Sequence, residues 1–263
     1  LKLPRKRKIK KFKSFLQKKI EGENLLYLRI SSFDTKVTND LEKAIKENKD
    51  VKGIVLDLRN NPGGLLNQAI GVVDLFVKNG VIVSQKGRDA NDEEKFEASK
   101  FGTKTDLPLV VLVNEGSASA SEIVSGALQD HKRAILVGEK TFGKGSVQAV
   151  LPIDNEKTEN IKLTIAKYYL PSGRTIQAEG VTPDIIASAG KVVQSEDNSL
   201  KIKEADLKKH LEGELNKVDD KLKAEEKAVK DETKKIISKD DLQNDNQLNT
   251  SLAVLKSLII MNK

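Results

Sequence analysis

Residues 109–123 read Leu-Val-Val-Leu-Val-Asn-Glu-Gly-Ser-Ala-Ser-Ala-Ser-Glu-Ile, the stretch that says most about the fold class. Its five leading apolar residues are typical of a buried β-strand. The small residues that follow leave the hydroxyl of Ser119 uncrowded and begin a predicted helix over 119–129. A strand that leads through a short turn into a helix is the repeating step of an α/β protein, which is the class we expect here.

The same alternation continues on both sides of this stretch. Further strands are predicted at 24–30, 53–58, 81–83, 134–137 and 161–170, and further helices at 35–48 and 65–77. Strands that alternate with helices predict β-α-β units with right-handed crossovers. Lys, Glu and Asp dominate 204–239 and predict one or two exposed helices. The apolar spacing of 248–261 predicts a helix that docks either on the body of the protein or on a second chain.

The composition of the 263-residue chain excludes several kinds of chemistry. The chain has no Cys, which excludes thiol catalysis, disulfide bonds and thiolate metal sites, and with two His a zinc site is not expected. The net charge of +7 is local, because residues 1–19 are rich in Lys and Arg and contain no acid. Nucleic-acid binding is not expected from this distribution, whereas residues 1–20 leave association with a membrane surface open.

Ser119 is a candidate nucleophile, and a nucleophilic serine needs a proton acceptor. Lys144 follows in the turn Phe-Gly-Lys-Gly-Ser-Val-Gln at 142–148. A lysine can serve as this acceptor where desolvation keeps its amine neutral, and we expect Phe142 and Val147 to supply that desolvation. The start of the predicted helix adds free backbone N–H groups and a dipole that favours a developing oxyanion.

Three other interpretations of these residues are weaker. Residues 138–146 nearly fit the phosphate-loop pattern Gly-x-x-x-x-Gly-Lys-Ser/Thr, but glycine replaces its hydroxyl residue and no helix is predicted to follow. Ser117 and Ser121 are rival nucleophiles within the same run of small residues. A Ser-His-Asp triad would need His131 or His210, and both are expected to be surface residues.

At these residues the chain resembles the carboxyl-terminal processing proteases, the tail-specific Ser–Lys peptidases of family S41. The resemblance rests on segments that occur in the family's order: Asp-Leu-Arg-Asn-Asn-Pro-Gly-Gly at 57–64, Gly-Ser-Ala-Ser-Ala-Ser-Glu-Ile at 116–123, the lysine turn at 142–148, Tyr-Leu-Pro-Ser-Gly-Arg-Thr-Ile-Gln at 169–177, Gly-Val-Thr-Pro-Asp at 180–184 and Asp-Asn-Gln-Leu at 245–248. It implies an α/β fold with a ClpP/crotonase-like β-β-α superhelix core and a charged helical C-terminal extension.

The resemblance also implies roles for individual residues. Ser119 would be the nucleophile, Lys144 the general base that takes its proton, and Gln148 the neighbour that orients the lysine amine. From the residues themselves, Asp57 and Arg59 are expected to form a structural ion pair that holds the glycine turn, Asn-Asn-Pro-Gly-Gly at 60–64.

The oxyanion hole implied by the resemblance combines two backbone N–H groups. One belongs to Ala120 and the other to Gly63 or Gly64, and the choice between these two glycines stays open. Arg174 and Gln177 are weaker candidates for the lining of a substrate groove.

The resemblance divides the chain into a basic N-terminal segment at 1–21, a peptidase core at 22–190 and a charged helical C-terminal region at 191–263. The basic segment stands where the family has the exit strand of a PDZ domain, and we expect a solvated edge strand or a disordered arm. No PDZ domain fits before it, and this is the main departure from the family's pattern.

The function implied is that of a serine endopeptidase that cleaves proteins at or near their C-terminal tails with a Ser–Lys dyad and without a metal or organic cofactor. Its partners would be protein or peptide substrates with accessible C-termini, and self-association into a homo-oligomer is implied. A bacterial periplasmic or other extracytoplasmic location is also implied, although the chain shows no signal-peptide pattern. The alternative is an inactive or partner-dependent peptide-binding scaffold of the same fold.

Overall fold

The structure is a computed structural model that describes residues 13–89, 92–99, 102–153, 159–192 and 235–261. The strands in these ranges are β1 (Phe15–Ile20), β2 (Leu26–Ile30), β3 (Ile54–Asp57), β4 (Val81–Lys86), β5 (Glu93–Glu97), β6 (Leu109–Val113), β7 (Ile135–Gly138), β8 (Ser146–Pro152), β9 (Asn160–Tyr169), β10 (Ile185–Ile186) and β11 (Ile236–Ile237). The helices are α1 (Val37–Glu47), α2 (Leu66–Asp74), α3 (Ala120–Asp130), α4 (Lys239–Gln243) and α5 (Asn246–Met261).

The larger sheet has the strand order β10-β7-β6-β3-β2-β1-β11 within the described ranges. Strands β2, β3, β6, β7 and β10 run parallel to one another, and β1 runs antiparallel to β2. Every residue of β3 and β6 is buried, as expected for a parallel sheet that is covered on both faces. The carboxyl ends of β3 and β6 therefore lie side by side, and the glycine turn and Ser119 follow them.

Helices cover both faces of this sheet. Alternate strand residues such as Leu56 and Val111 pack with α1, α2 and α3 in one apolar cluster. The residues between them, such as Val55 and Val110, pack with α5 in a second cluster on the opposite face. This division follows from the two-residue period of a strand, which points successive side chains to opposite faces.

A smaller sheet has the order β5-β4-β9-β8 and is antiparallel throughout. Strand β8 lies at its edge within the described residues and begins two residues after Lys144. The hairpin of β8 and β9 leaves several large apolar side chains exposed, namely Val150, Leu151, Ile161, Leu163 and Ile165. This sheet places an open strand edge beside the lysine turn.

The α/β class and the alternating strands and helices of 24–170 are confirmed, with bounds that differ by a few residues. Within the basic segment, residues 15–20 form β1, as the strand alternative predicts, whereas residues 1–12 lie outside the described ranges. Strand β1 pairs with β2 over residues 15–19 and with β11 only at residues 19–20, so it lies next to the edge of the sheet. The exposed helices predicted over 204–239 lie outside the described ranges as far as residue 234. In the described remainder, residues 236–237 form a strand instead of a helix. The predicted docking of the last helix is confirmed on the body of the protein.

We predict that Leu255→Ala lowers the free energy of unfolding by about 2–5 kcal/mol, because this side chain of α5 is fully buried against the sheet. Urea denaturation followed by circular dichroism measures the change. Ser257→Ala is the matched control, since this α5 residue is exposed and is expected to change the stability by less than about 0.5 kcal/mol. Equal midpoints for Leu255→Ala and the parent chain would contradict the docking of α5.

Candidate active site

Ser119 lies in the sharp turn between β6 and α3, the serine turn at 114–119, and is the N-cap of the helix. Its backbone has φ 55° and ψ −111°, a region that residues other than glycine rarely adopt. Such a conformation costs about 1–3 kcal/mol and persists only where the surroundings hold it. The turn therefore needs strong neighbouring contacts, and it places a part-exposed serine at the start of a helix.

Glu122 supplies the strongest of these contacts. Its side chain is fully buried, and its carboxylate accepts four hydrogen bonds. Oε1 accepts from the Thr141 hydroxyl at 2.6 Å and from the Gly143 N–H at 2.7 Å, and Oε2 accepts from the Ser119 N–H at 2.8 Å and from the Lys144 N–H at 2.9 Å. Four donors match the lone pairs of an ionised carboxylate, so hydrogen bonds compensate the buried charge.

The shared Glu122 oxygen limits the distance between the backbone amide nitrogens of Ser119 and Lys144. Because the Ser119 and Lys144 amide nitrogens lie 2.8 Å and 2.9 Å from Glu122 Oε2, they are at most the sum of these distances apart, about 5.7 Å. The turn around Lys144 is held on its other side as well, since the Gly145 N–H donates to Gln177 Oε1 at 3.1 Å. The structure thus brings together two residues that are well separated along the chain.

Asn61 joins the glycine turn to the serine turn. Its carbonyl accepts from the Ala118 N–H and from the Ser121 hydroxyl, both at 2.9 Å. Its side chain donates to the Ile30 carbonyl at 2.9 Å and accepts from the Gly63 N–H at 2.9 Å. The side chain is fully buried, so these bonds are shielded from water.

Gly63 packs directly against the serine turn. A methyl group on its Cα would lie 2.8 Å from the Ala118 carbonyl oxygen and 2.9 Å from Ser119 Cβ. Its φ of 103° also favours glycine. Both observations require glycine at this position, where the backbone passes close to Ser119.

The two candidate glycines of the oxyanion hole differ in whether the N–H group already makes a hydrogen bond. The Gly63 N–H is already bonded to Asn61 Oδ1, and Gly63 is buried. Gly64 is exposed, and its N–H has no hydrogen-bond partner among the residues that the structure describes. The Ala120 N–H is at the first helical position, where no intrahelical acceptor exists. Ala120 and Gly64 therefore offer the available N–H groups.

The side chains of the lysine turn are more open than the sequence predicts. Lys144 is exposed, and Phe142, which the sequence predicts to desolvate it, is itself 70% exposed. That prediction is wrong for Phe142, because its ring lies in solvent, whereas Val147 is part-buried against the core. Gln148 lies exposed on β8 beside a register shift between positions 147 and 148, and its contact with the lysine amine stays a prediction.

The two weaker groove candidates occupy different places. Gln177 lies beside the lysine turn, where it binds the N–H of Gly145. Arg174 lies at the other end of α3, where it bonds to Gln129 Oε1 at 2.7 Å and to Asp130 Oδ1 at 2.9 Å. Its contacts there join the turn that follows β9 to the helix.

The expected ion pair of Asp57 and Arg59 is present, with 2.7 Å between Asp57 Oδ2 and Arg59 Nη2. Burial alone would raise the pKa of Asp57, but the guanidinium of Arg59 outweighs it and holds that pKa below its usual value. Tyr27 donates its hydroxyl to Asp57 at 2.7 Å, and burial together with the neighbouring carboxylate raises the pKa of Tyr27. This charged cluster lies directly before the glycine turn.

The rival serines are engaged in structural contacts. Ser117 donates its hydroxyl to the Leu58 carbonyl at 2.8 Å, and Ser121 donates its hydroxyl to the Asn61 carbonyl at 2.9 Å. Both serines are fully buried, so neither hydroxyl faces a space that a substrate could enter. Ser119 is the part-exposed serine of this turn.

The histidine and phosphate-loop interpretations also fail in the described part of the chain. The His131 ring nitrogen lies 2.7 Å from a β4 carbonyl oxygen, at the far end of α3 from the serine turn. His210 lies outside the described residues. Strand β8 follows Lys144 where a phosphate loop requires a helix.

Sequence reasoning did not single out Asn61 or Glu122. The spacing Ser119-x-x-Glu122 does carry a local signal, because a Glu three residues after a helix N-cap is typical of a capping box. The contacts of this carboxylate with residues 141–144 have no local signal, since they depend on how the chain returns past the helix after β7.

Residues 24–187 match the profile of peptidase family S41, which is more than half of the chain. The chain belongs to this family. Its relatives include proteases of the carboxyl-terminal processing type, and the family implies serine chemistry.

Individual relatives support this assignment. The chain is similar to the carboxy-terminal-processing protease of Bartonella bacilliformis, with 46% identity over 202 residues that cover 74% of this chain and 46% of the relative. Carboxy-terminal processing protease CtpA of Bacillus subtilis is 39% identical over 170 residues, covering 64% of this chain and 36% of that protein. The solved photosystem II D1 C-terminal processing protease has 35% identity and a TM-score of 0.57, and the match covers 65% of this chain and 47% of that one. The chain spans less than half of the length of these relatives.

We predict that Glu122→Gln lowers the free energy of unfolding by at least about 1–3 kcal/mol, because an amide offers one acceptor oxygen and leaves buried N–H groups unpaired. Urea denaturation measures the effect. Glu115→Gln is the matched control, since Glu115 is exposed in the same loop and should change little. If the two variants unfolded at the same urea concentration, the four bonds to Glu122 would not be what holds the turns together.

Proposed function

We propose that this chain is a serine endopeptidase that cleaves proteins at or near their C-terminal tails with a Ser119–Lys144 dyad. The observation that carries the proposal is the Glu122 oxygen shared by the N–H groups of both residues, which keeps them adjacent. The part-exposed Ser119 and the exposed Gly64 also lie beyond the carboxyl ends of parallel strands, where open α/β sheets bind their ligands.

Ser119 attacks the carbonyl carbon of the scissile peptide bond, and its proton passes to the Lys144 amine. The N–H groups of Ala120 and Gly64 stabilise the oxyanion that forms, and the start of α3 adds its dipole. We assign Gly64 rather than Gly63 to this role because the Gly63 N–H already binds a side chain. The protonated lysine then gives its proton to the leaving amine, and water hydrolyses the acyl-enzyme.

The lysine must be neutral to accept a proton, and bound substrate supplies the missing desolvation. Lys144 is exposed, and the apolar Phe142 and Leu65 beside the two turns are 70% and 42% exposed. An extended substrate that covers these side chains excludes water from the amine, which favours its neutral form. Gln148 orients the amine with its neutral amide, and the open edge of β8 pairs with the substrate backbone.

The relatives are bacterial or chloroplastic and are named for processing of C-termini. We propose protein substrates with accessible C-termini, an extracytoplasmic location such as the periplasm, self-association, and contact of residues 1–20 with a membrane surface. Within the described part of the chain, every helix is too short or too polar to span a bilayer. The orders β1-β2-α1 and β5-β6-α3, in which two strands precede a helix, support a ClpP/crotonase-like β-β-α superhelix.

We predict that Ser119→Ala and Lys144→Ala each abolish cleavage of an unfolded protein such as reduced casein. In the parent chain the rate should rise towards alkaline pH, because only the neutral amine accepts a proton. Gel analysis across a pH series measures both effects, and labelling by a fluorophosphonate reports the nucleophile separately. Lys140→Ala is the matched control, since this lysine is exposed four residues earlier.

Cleavage that survives Ser119→Ala would show that another residue is the nucleophile. A parent chain that is folded but neither cleaves the protein nor takes up the fluorophosphonate would contradict the proposed activity of this chain.

A further inference from the structure

The longest-range contact near the site leads from the glycine turn to the C-terminal helix. Arg59 stands between β3 and the turn, and its side chain is only 12% exposed. Its guanidinium makes two parallel bonds to the carboxylate of Asp245, with 2.8 Å from Nη1 to Oδ1 and 2.8 Å from Nη2 to Oδ2. A further bond joins Nη1 to Gln247 Oε1 at 3.1 Å. This bidentate geometry is among the strongest that a carboxylate can offer.

The partners of Arg59 are themselves held in place. Asp245 precedes α5 and accepts from the Leu248 N–H at 3.0 Å, so the same carboxylate caps the helix and binds the guanidinium. Gln247 is 2% exposed and donates to the Ala187 carbonyl at 2.9 Å. The rest of α5 is anchored by apolar packing on the sheet. The start of α5 is therefore a rigid support for Arg59.

The glycine turn needs such a support. Asn60, the residue directly after Arg59, has a φ of 56°, a left-handed conformation that residues other than glycine adopt at a cost and that neighbouring contacts must hold. Only Asn60 separates Arg59 from Asn61, whose carbonyl binds the serine turn. A shift of Arg59 is thus transmitted within two residues to the contact between the glycine turn and the nucleophile.

We propose that Asp245 and Gln247 are positioning residues of the peptidase, which act through Arg59 on the placement of the Gly64 N–H in the oxyanion hole. This inference rests on the function proposed above. Under this proposal the start of α5 influences the catalytic rate, although Asp245 and Gln247 act only through Arg59 and not by touching the substrate.

The test compares Asp245→Asn with Asp240→Asn, an exposed aspartate of α4 in the same segment. Asparagine keeps the shape and helix-capping ability of Asp245 but removes one acceptor oxygen and the charge that Arg59 binds. We expect kcat on a peptide substrate to fall by about 10-fold or more with KM nearly unchanged, since small misplacements of catalytic groups have effects of up to about 100-fold. Asp240→Asn should keep the parent rate.

A double-mutant cycle with Arg59→Lys assigns the effect to the proposed pair. If Asp245 acts through Arg59, the losses in kcat from Asp245→Asn and Arg59→Lys should be clearly less than multiplicative in the double variant. Independent losses, or a kcat that falls only in proportion to the unfolded fraction seen by circular dichroism, would overturn the positioning role. A kcat equal to that of Asp240→Asn would overturn it as well.

Glycine amide signals separate this inference from the proposed function. In spectra of protein labelled with nitrogen-15 glycine, Asp245→Asn should shift the Gly63 and Gly64 signals, whereas Asp240→Asn should leave them in place. If the parent chain has no activity, the proposed function fails, and these signals alone decide the inference. Unmoved Gly63 and Gly64 signals in a folded Asp245→Asn protein would refute it.

Discussion

The site depends on one buried carboxylate. The Glu122 carboxylate accepts hydrogen bonds from three backbone N–H groups, those of Ser119, Gly143 and Lys144, and from the Thr141 hydroxyl. A single side chain therefore joins the start of α3 to the lysine turn. An unpaired charge in this place would be strongly destabilising, and four charge-assisted bonds remove that penalty. Because these bonds go mainly to backbone, they fix the path of the chain and leave the side chains of Ser119 and Lys144 out of the contact.

The sequence predicts the parts of this arrangement that local patterns specify. The run of five apolar residues at 109–113 predicts β6 with the bounds that the structure has, because a buried strand needs apolar residues on both faces. The small residues around Ser119 predict the start of α3 within one residue. The ion pair of Asp57 and Arg59 is also predictable, since the two side chains lie two residues apart at the end of a strand.

The remaining features depend on contacts between distant residues. The sequence leaves a strand and a disordered arm open for the basic segment, and β1 forms because β2 supplies its hydrogen bonds, which local charge does not reveal. The choice of Gly64 over Gly63 depends on whether Asn61 Oδ1 reaches an N–H group, which spacing cannot show. Phe142 is close to Lys144 in sequence, yet its ring lies in solvent, because adjacency along the chain does not fix the direction of a side chain.

The pairing of Arg59 with Asp245 has a consequence for synthesis of the protein. These residues are 186 positions apart, so the contact closes a very long loop and raises the contact order of the fold. A nascent chain that has left the ribosome through β10 already contains Ser119 and Lys144 but has not yet made the helix cap that binds Arg59. The anchor of the glycine turn therefore forms only after translation has passed α4, so Ser119 and Lys144 are synthesised well before their surroundings are complete.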